Sequence, residues 1–310
     1  MDIDRFIVRH FLPSDFSAES PITVNAWESI FSGFRSQLGE EIYSFFYDGW
    51  EKRKFDEFGN SMLESSQDGN AFSIIDSQNG TVVAMGSFCI RDESGIIESN
   101  AVHPDYRGHG IGTVLYRTLL EKMNALSLRD ALVTTGLDDA HTGARKTYER
   151  VGFQPFSKQS VYFRNNEITT FPALTENKVY TFQRISDPIL FSLENLFGGM
   201  DKTVIHNIIE NPHSITYVLL CDEKPLCVGS WHIGSLQKKQ YGQIDLLLWD
   251  DAFSAMHMQK HLLQDMLSRN IRFSKTSLTL KDANTEEQKM YENAGFLHSI
   301  SSVTYKMNLR

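Results

Sequence analysis

Val102-His103-Pro104-Asp105-Tyr106-Arg107-Gly108-His109-Gly110-Ile111-Gly112-Thr113 is the stretch that decides the fold. The run leading into it, Ile96–Val102, reads as a strand. Pro104 cannot donate to a strand ladder, so the strand stops there. Beyond the loop, Ile111, Leu115, Leu119, Met123 and Leu126 fall on one stripe at helical spacing. A strand therefore feeds an amphipathic helix through a turn carrying glycine at every second position. Glycine admits positive φ and close backbone approach to a ligand. The helix N-terminus contributes unpaired N–H groups and the positive end of a dipole. Together they suit phosphate oxygens, and Arg107 adds a formal positive charge at the entrance. The spacing is G-x-G-x-G. It lacks the extra residue of a dinucleotide fingerprint and the Lys-Ser or Lys-Thr of a P-loop.

Working outward, the chain answers itself. Tyr148-Glu149-Arg150-Val151-Gly152-Phe153 returns as Tyr291-Glu292-Asn293-Ala294-Gly295-Phe296, with Ala140 and Lys146 matched by Ala283 and Lys289 at the same offset. Both copies read as a helix closed by a C′ glycine, then a strand. The preceding elements also correspond. Strands are expected at 71–76, 81–90, 96–102 and 131–137 in the first half, and at 214–221, 225–233, 243–249 and 275–281 in the second. Helices are expected at 111–126 and 254–268. Each half opens on a strand, 6–9 and 179–184, followed by helical stretches at 21–64 and near 187–197 and 201–210. The polar segment 166–177, with Pro172, reads as a linker. The expectation is α/β architecture used twice: residues 1–165 as one domain and 178–310 as another.

Composition sets limits. At 310 residues, two domains are expected, each able to bury a core. Net charge is −9, with the first half the more acidic, which argues against a nucleic-acid partner and suits a cationic acceptor or simple solubility. No apolar run approaches the ~20 residues of a membrane span. Met1–His10 is charged and does not resemble a secretory signal. Cys89, Cys221 and Cys227 form no CxxC pair, as expected of buried thiols in a reducing cytoplasm. His103 and His109 belong to no cluster at metal-ligand spacing, so no metal site is expected. The aromatics between Trp27 and Trp50 are read chiefly as core.

Arg107-Gly108-His109-Gly110-Ile111-Gly112 resembles the R/Q-x-x-G-x-G/A signature of the GCN5-related N-acetyltransferases. The Ala-Val-His-Pro-Asp-Tyr before it and the Tyr-Glu-Arg-Val-Gly-Phe after it are similar to that family too. The resemblance implies two tandem acyl-CoA N-acyltransferase-type domains, each a mixed, splayed β-sheet flanked by helices. It implies acetyl-CoA as acyl donor, lying where the strand before the loop bulges and splays from its neighbour. Ala101 and Val102 would meet the pantetheine and acetyl end. The backbone from Gly108 through His109, Gly110, Ile111 and Gly112 to Thr113 would hold the pyrophosphate, with Arg107 beside it. Tyr148 would protonate the leaving thiolate. Glu98, four residues before Val102, would act as base or else hold a structural hydrogen bond. His141 stands where the family often places an Asn toward the CoA arm, and serves either there or as a solvent-facing helix start. Cys89 is read as a strand-core residue. Attack of an amine on a thioester needs a neutral nucleophile, a held acyl group and an acid for sulfur.

In the second half the loop is gone. Leu248-Trp249 is followed by Asp250-Asp251-Ala252-Phe253 with no glycine, and two carboxylates would meet any pyrophosphate there. The second domain is thus expected to lack the donor site, with Asn284 and Tyr291 as remnants. The leading reading is an acetyl-CoA-dependent N-acetyltransferase acting on a small-molecule or protein amine. The alternative is a non-catalytic acyl-CoA-binding sensor. Oligomeric state is not legible.

Overall fold

In the computed structural model the described residues are 5–16, 22, 27–166, 181–184, 214–221, 224–249, 263, 267 and 273–309. The chain divides into two compact units, one made of Met1–Gln159 with Ile300–Arg310, the other of Ser160–Ser299. Among the described residues no helix is long and apolar enough to cross a membrane.

The first unit holds β1 (Phe6–His10), α1 (Glu28–Phe46), α2 (Trp50–Gln67), β2 (Ala71–Asp76), β3 (Val82–Arg91), β4 (Ser94–Val102), α3 (Ile111–Ala125), β5 (Asp130–Gly136) and α4 (Thr142–Val151). Its sheet runs β1-β2-β3-β4-β5 and is completed beside β5 by β12 (Leu297–Asn308), the last strand of the chain. Only the β4–β5 pair is parallel; β12 meets β5 antiparallel from Ser302↔Gly136 to Asn308↔Asp130. The stripe Ile111, Leu115, Leu119 and Met123 packs on one sheet face with Ile74, Phe88, Ile97 and Val133. Val303 and Tyr305 of β12 belong to the same core. On the other face, Phe58 and Met62 of α2 pack against Met85 and Ala101. Phe31, Phe34, Tyr43, Phe46 and Trp50 are buried, as expected of core aromatics. Gly39, at φ 75°, breaks α1 into two helical pieces.

The second unit holds β7 (Thr181–Arg184), β8 (Ser214–Cys221), β9 (Lys224–Leu236), β10 (Lys239–Trp249), β11 (Lys275–Lys281) and α5 (Thr285–Asn293). Its order is β7-β8-β9-β10-β11, and the strand beside β11 is β6 (Gln154–Asn165), which follows α4 in the chain. So the strand that follows α4 enters the second sheet, and the strand that follows α5 enters the first. Trp231, Ile244, Leu278, Tyr291 and Phe296 form the core of this unit, with the helical Leu263 and Leu267. The expected linker from residue 167 on, the helices near 187–197 and 201–210, and the segment Asp250-Asp251-Ala252-Phe253 lie outside the described residues.

The repeated Tyr-Glu-x-x-Gly-Phe motif has one physical meaning in both units. The Phe153 N–H donates to the Tyr148 carbonyl (3.0 Å) and the Gly152 N–H to Glu149 (3.1 Å); Phe296 donates to Tyr291 (3.1 Å) and Gly295 to Glu292 (2.9 Å). Gly152 and Gly295 have φ of 108° and 87°, and the Tyr and Phe rings meet edge-on at 6.3 and 6.1 Å. This is a Schellman helix stop with its apolar clasp.

Candidate active site

The site begins where β4 and β5 part. They pair in parallel only from Ser94↔Asp130 to Ile97↔Val133. Against β3 the register slips at the same point: Phe88 faces Ile97 and Ser87 faces Ser99, which leaves Glu98 as the extra residue of a bulge. A bulge bends its strand and strengthens the local twist. Past Ile97, β4 therefore leaves β5, and residues 98–102 have no partner on that side among the described residues. The wedge leads directly to the loop.

The loop is held from below. Pro104–Tyr106 form a 3₁₀ turn whose start is capped by His103, which accepts from the Asp105 N–H at 3.2 Å. The Tyr106 hydroxyl donates to Asp76 at 3.0 Å and accepts from Asn79 at 3.2 Å. Asp76 is fully buried and also takes Arg5 at 2.9 and 2.5 Å and the Gln78 N–H at 3.1 Å. Arg5 foremost, against the opposing effect of desolvation, holds the Asp76 carboxyl well below the usual carboxylate range. Next come Gly108 and Gly110, both at φ 78°, a conformation that L side chains rarely adopt. A Cβ on Gly108 would meet nothing within 4 Å, so the glycine is required there by backbone angle, not by space.

Gly110 starts α3 with no side-chain cap and no acid in the first turn. The first ladder bond is from the Val114 N–H to the Gly110 carbonyl at 3.2 Å. The N–H groups of Ile111, Gly112 and Thr113 precede it and, as at any helix start, have no intrahelical acceptor. The Thr113 hydroxyl is buried without a partner. Arg107 is exposed, its Nε 3.4 Å from the Val102 carbonyl, and His109 Nδ1 lies 2.8 Å from the Arg107 carbonyl. Ala101 is buried and Val102 half-buried at the lip of the wedge. An uncapped helix start of this kind suits an anion, and it stands at the mouth of the strand edge left without a partner among the described residues.

Glu98 sits at the bulge with its side chain 35% exposed, paired with Arg91 at 2.6 Å. Cys89 lies beside it, and burial first, then Glu98, pushes that thiol up. Tyr148 is sealed, 2% exposed, within the core between α3 and β5. Burial pushes its phenol above the ordinary 10.0, with the Tyr116 and Thr135 hydroxyls pulling it back. Tyr116 packs edge-on against it at 4.9 Å. His141 begins α4 and gives Nδ1 to Asp138 at 2.7 Å, so its Nε2 is the nitrogen left to a ligand. Tyr106, Asp76 and Arg5 went unread in the sequence. The last two stand far from the loop in the chain, and only β1–β2 pairing brings them beneath it.

Residues 35–153 match the model described as the acetyltransferase (GNAT) family. No curated protein matches the chain. Among solved structures, a GCN5-related N-acetyltransferase from Sphaerobacter thermophilus is similar at 17% identity, over 99% of this chain and 96% of that one, with a TM-score of 0.59. A tandem GNAT protein from the clavulanic acid biosynthesis pathway is similar at 12% identity over 77% and 82%, TM-score 0.52. A GCN5-related glucosamine N-acetyltransferase region of a fungal multi-domain GH3 β-N-acetylglucosaminidase gives 12% identity, 97% of this chain and 38% of that one, TM-score 0.56. At these identities the solved structures speak to the fold alone.

Proposed function

With residues 35–153 forming a domain of the acetyltransferase (GNAT) family, we propose that the chain transfers an acetyl group from acetyl-CoA to a primary amine, small-molecule or protein-borne, by direct attack in a ternary complex. The observation that carries this reading is the junction itself. A strand edge unpaired beyond Ile97 opens onto a helix end with positive-φ glycines at 108 and 110 and no internal cap. The amides of that helix end and Arg107 would take the pyrophosphate. The free edge at Ala101 and Val102 would take the amide arm by strand-like hydrogen bonds, and His141 Nε2 would reach the CoA arm. Thr113, whose buried hydroxyl is otherwise unsatisfied, would gain a partner.

For the chemistry, Glu98 is the carboxylate at the opening and would accept the amine proton, provided that it exchanges its partner Arg91 for the substrate. Tyr148 would supply the proton for sulfur. Its raised phenol keeps it protonated at neutral pH. The second unit is proposed not to bind the donor through a pyrophosphate loop, and the compartment is proposed to be the cytoplasm. The sensor reading draws on one observation, the sealing of Tyr148 from solvent.

The test is turnover. The wild type should release CoA thiol with a primary amine, and Tyr148→Phe together with Glu98→Gln should stop release while acetyl-CoA still binds. Binding without release across a broad amine panel favours the sensor. Gly110→Glu should abolish binding; unchanged affinity would sink the loop assignment.

A further inference from the structure

The turns that lead into α4 and α5 are built differently. β5 and β11 end at Gly136 and Lys281, and the helices begin at Thr142 and Thr285, so residues 137–141 make one connection and only 282–284 the other. In the shorter connection Asn284 caps its helix, its side-chain carbonyl accepting from the Glu287 N–H at 2.9 Å. His141 stands at the same place before α4 and does not cap it. The longer connection folds into a 3₁₀ turn, Asp139–His141, which Asp138 caps instead. His141 is thereby released from helix capping.

Asp138 holds the released ring. Its Oδ1 accepts from the His141 backbone N–H at 3.3 Å, and its Oδ2 lies 2.7 Å from His141 Nδ1. A carboxylate only accepts, so Nδ1 carries the ring proton and Nε2 keeps a lone pair. The turn itself is clamped by Arg145. Its Nη1 donates to the Gly136 carbonyl at 2.6 Å and to the Asp138 carbonyl at 2.8 Å, and its Nη2 to Thr142 Oγ1 at 2.9 Å. The guanidinium is thus turned to backbone oxygens and a hydroxyl, and the Asp138 carboxylate to His141. A Cβ on Gly136 would collide with both Asp138 Oδ2 and His141 Nδ1, so glycine leaves the space that the pair fills. His141 is 19% exposed, at the C-terminal end of β5, the end from which β4 has parted.

We propose that Asp138 is a positioning residue of the donor site: it fixes His141 with its proton on Nδ1, so that Nε2 meets the CoA arm as a hydrogen-bond acceptor and takes an amide N–H of that arm. A free asparagine amide can turn either a donor or an acceptor to a ligand, whereas this imidazole offers a lone pair alone. The carbonyls and phosphates of the donor only accept, and would face Nε2 with no proton between them. Its amide N–H groups find there the acceptor that they need. The contact forms one hydrogen bond and transfers no proton. The inference rests on the donor-site reading and adds to it the polarity of the contact.

The full chain, with histidine isotope-labelled at its ring nitrogens, would be followed by NMR at a pH of about 8, where an ordinary imidazole is neutral. The His141 signals are assigned by their loss in His141→Asn. A proton on Nδ1 and a bare Nε2 are expected in the free chain. Acetyl-CoA should move the Nε2 signal as an accepted hydrogen bond does, without adding a proton to it. In Asp138→Asn the side-chain carbonyl keeps the His141 backbone N–H, so the amide NH2 faces Nδ1 and drives the ring proton to Nε2, where it opposes the N–H of the arm. Acetyl-CoA should then bind at least ~5-fold more weakly, the effect of one hydrogen bond left unmade. The double variant is the decisive arm: Asp138→Asn should cost nothing further in the His141→Asn background, whereas a residue that only caps the turn would cost the same in either. A proton on Nε2 in the free chain, an Nε2 signal unmoved by bound acetyl-CoA, unchanged affinity in Asp138→Asn, or an equal loss in both backgrounds overturns the proposal. Binding that Gly110→Glu abolishes and Asp138→Asn leaves intact overturns this proposal alone; failure of acetyl-CoA to bind the wild type overturns the donor site with it. Should Asp138→Asn fail to fold by circular dichroism, the wild-type ring signals with and without acetyl-CoA still decide.

Discussion

Two glycines let α3 lie close on the sheet, and replacing them should have opposite outcomes to those that distance alone suggests. A Cβ on Gly86 would lie 3.0–3.2 Å from Leu115 Cδ2, Cδ1 and Cγ; one on Gly95 would lie 2.7–2.9 Å from Met123 Sδ, Cε and Cγ. The second clash is the tighter. Both side chains are sealed in the same core, Met123 at 0% and Leu115 at 1% exposed; methionine, however, is unbranched and soft and can turn its end away, whereas Leu115 is branched at Cγ. For Gly86→Ala the overpacking costs about 1–3 kcal/mol, offset by about 0.5–1 kcal/mol from the reduced freedom of the unfolded chain. The net loss is about 1 kcal/mol, or about 2–4 °C in Tm for a unit of this size. Gly95→Ala should stay within about 0.5 kcal/mol of wild type, because relief at Met123 and the entropic gain nearly cancel. Urea unfolding followed by far-UV circular dichroism reads both. A double-mutant cycle adds the decisive arm, since Leu115→Val shortens the clashing side chain and should restore part of the Gly86→Ala loss. The reasoning is refuted if Gly86→Ala unfolds at or above the wild-type midpoint, or if Leu115→Val gives no rescue.

Three further outcomes are expected. Tyr106→Phe removes the bond that ties the loop to Asp76 at 3.0 Å, so the KM for the acyl donor should rise with kcat little changed; a fall in kcat at constant KM counts against the anchor. Asp130 is bound by Arg129 at 2.8 Å and Lys306 at 3.2 Å, and Arg129 foremost lowers its carboxyl below 3.8. Because the folded state holds the proton less tightly than the unfolded state, this stabilisation is present above pH 3.8 and is lost as pH falls through the folded value. The Tm gap between wild type and Asp130→Asn should be full at neutral pH and close in acid; a constant gap would contradict it. Deleting residues 300–310 strips Val303 and Tyr305, 2% and 3% exposed, from the first core. At about 1.5–3 kcal/mol each, plus the lost ladder along β5, the deletion should leave a chain with no cooperative unfolding transition in the first unit.

Much of this architecture was legible because its signals are local. β-rich composition marked β2 and β11 to the residue, and the helical stripe marked α3 to within one residue. The glycine loop was legible because positive φ leaves a residue-type signature, as at Gly108 and Gly110. What escaped was set by partners distant in sequence. Nothing in 154–165 or 297–308 says which sheet each strand will join, since both follow a helix stopped in the same way. Beneath the loop, Asp76 ends β2 and Arg5 immediately precedes β1, 71 positions apart. A bulge before the loop was implied by the resemblance, but its position at Glu98, and the matching bulge at Asp245, are register events, visible only once β3 and β9 supply the opposite count.

The repeated Tyr-Glu-x-x-Gly-Phe motif, which first exposed the duplication, deserves a narrower reading than its prominence suggests. In both units glycine supplies the left-handed turn, phenylalanine the returning N–H, and tyrosine the carbonyl and ring that receive them. These demands concern helix termination and hold whether or not a unit does chemistry. A tyrosine here is therefore no sign of catalysis by itself. What differs is the surroundings of the hydroxyl: Tyr148 has Tyr116 and Thr135 beside it, while the Tyr291 hydroxyl is buried with no partner, and burial carries that phenol well above its ordinary range. Removing a buried hydroxyl that has no partner removes a desolvation cost of about 1–3 kcal/mol. Tyr291→Phe should therefore leave the second unit as stable as wild type or more so, whereas Tyr148→Phe should gain less because its hydroxyl has neighbours. Equal stabilisation in both variants, read by denaturant unfolding, would mean that the two tyrosines are the same structural part and that Tyr148 owes nothing to its neighbours.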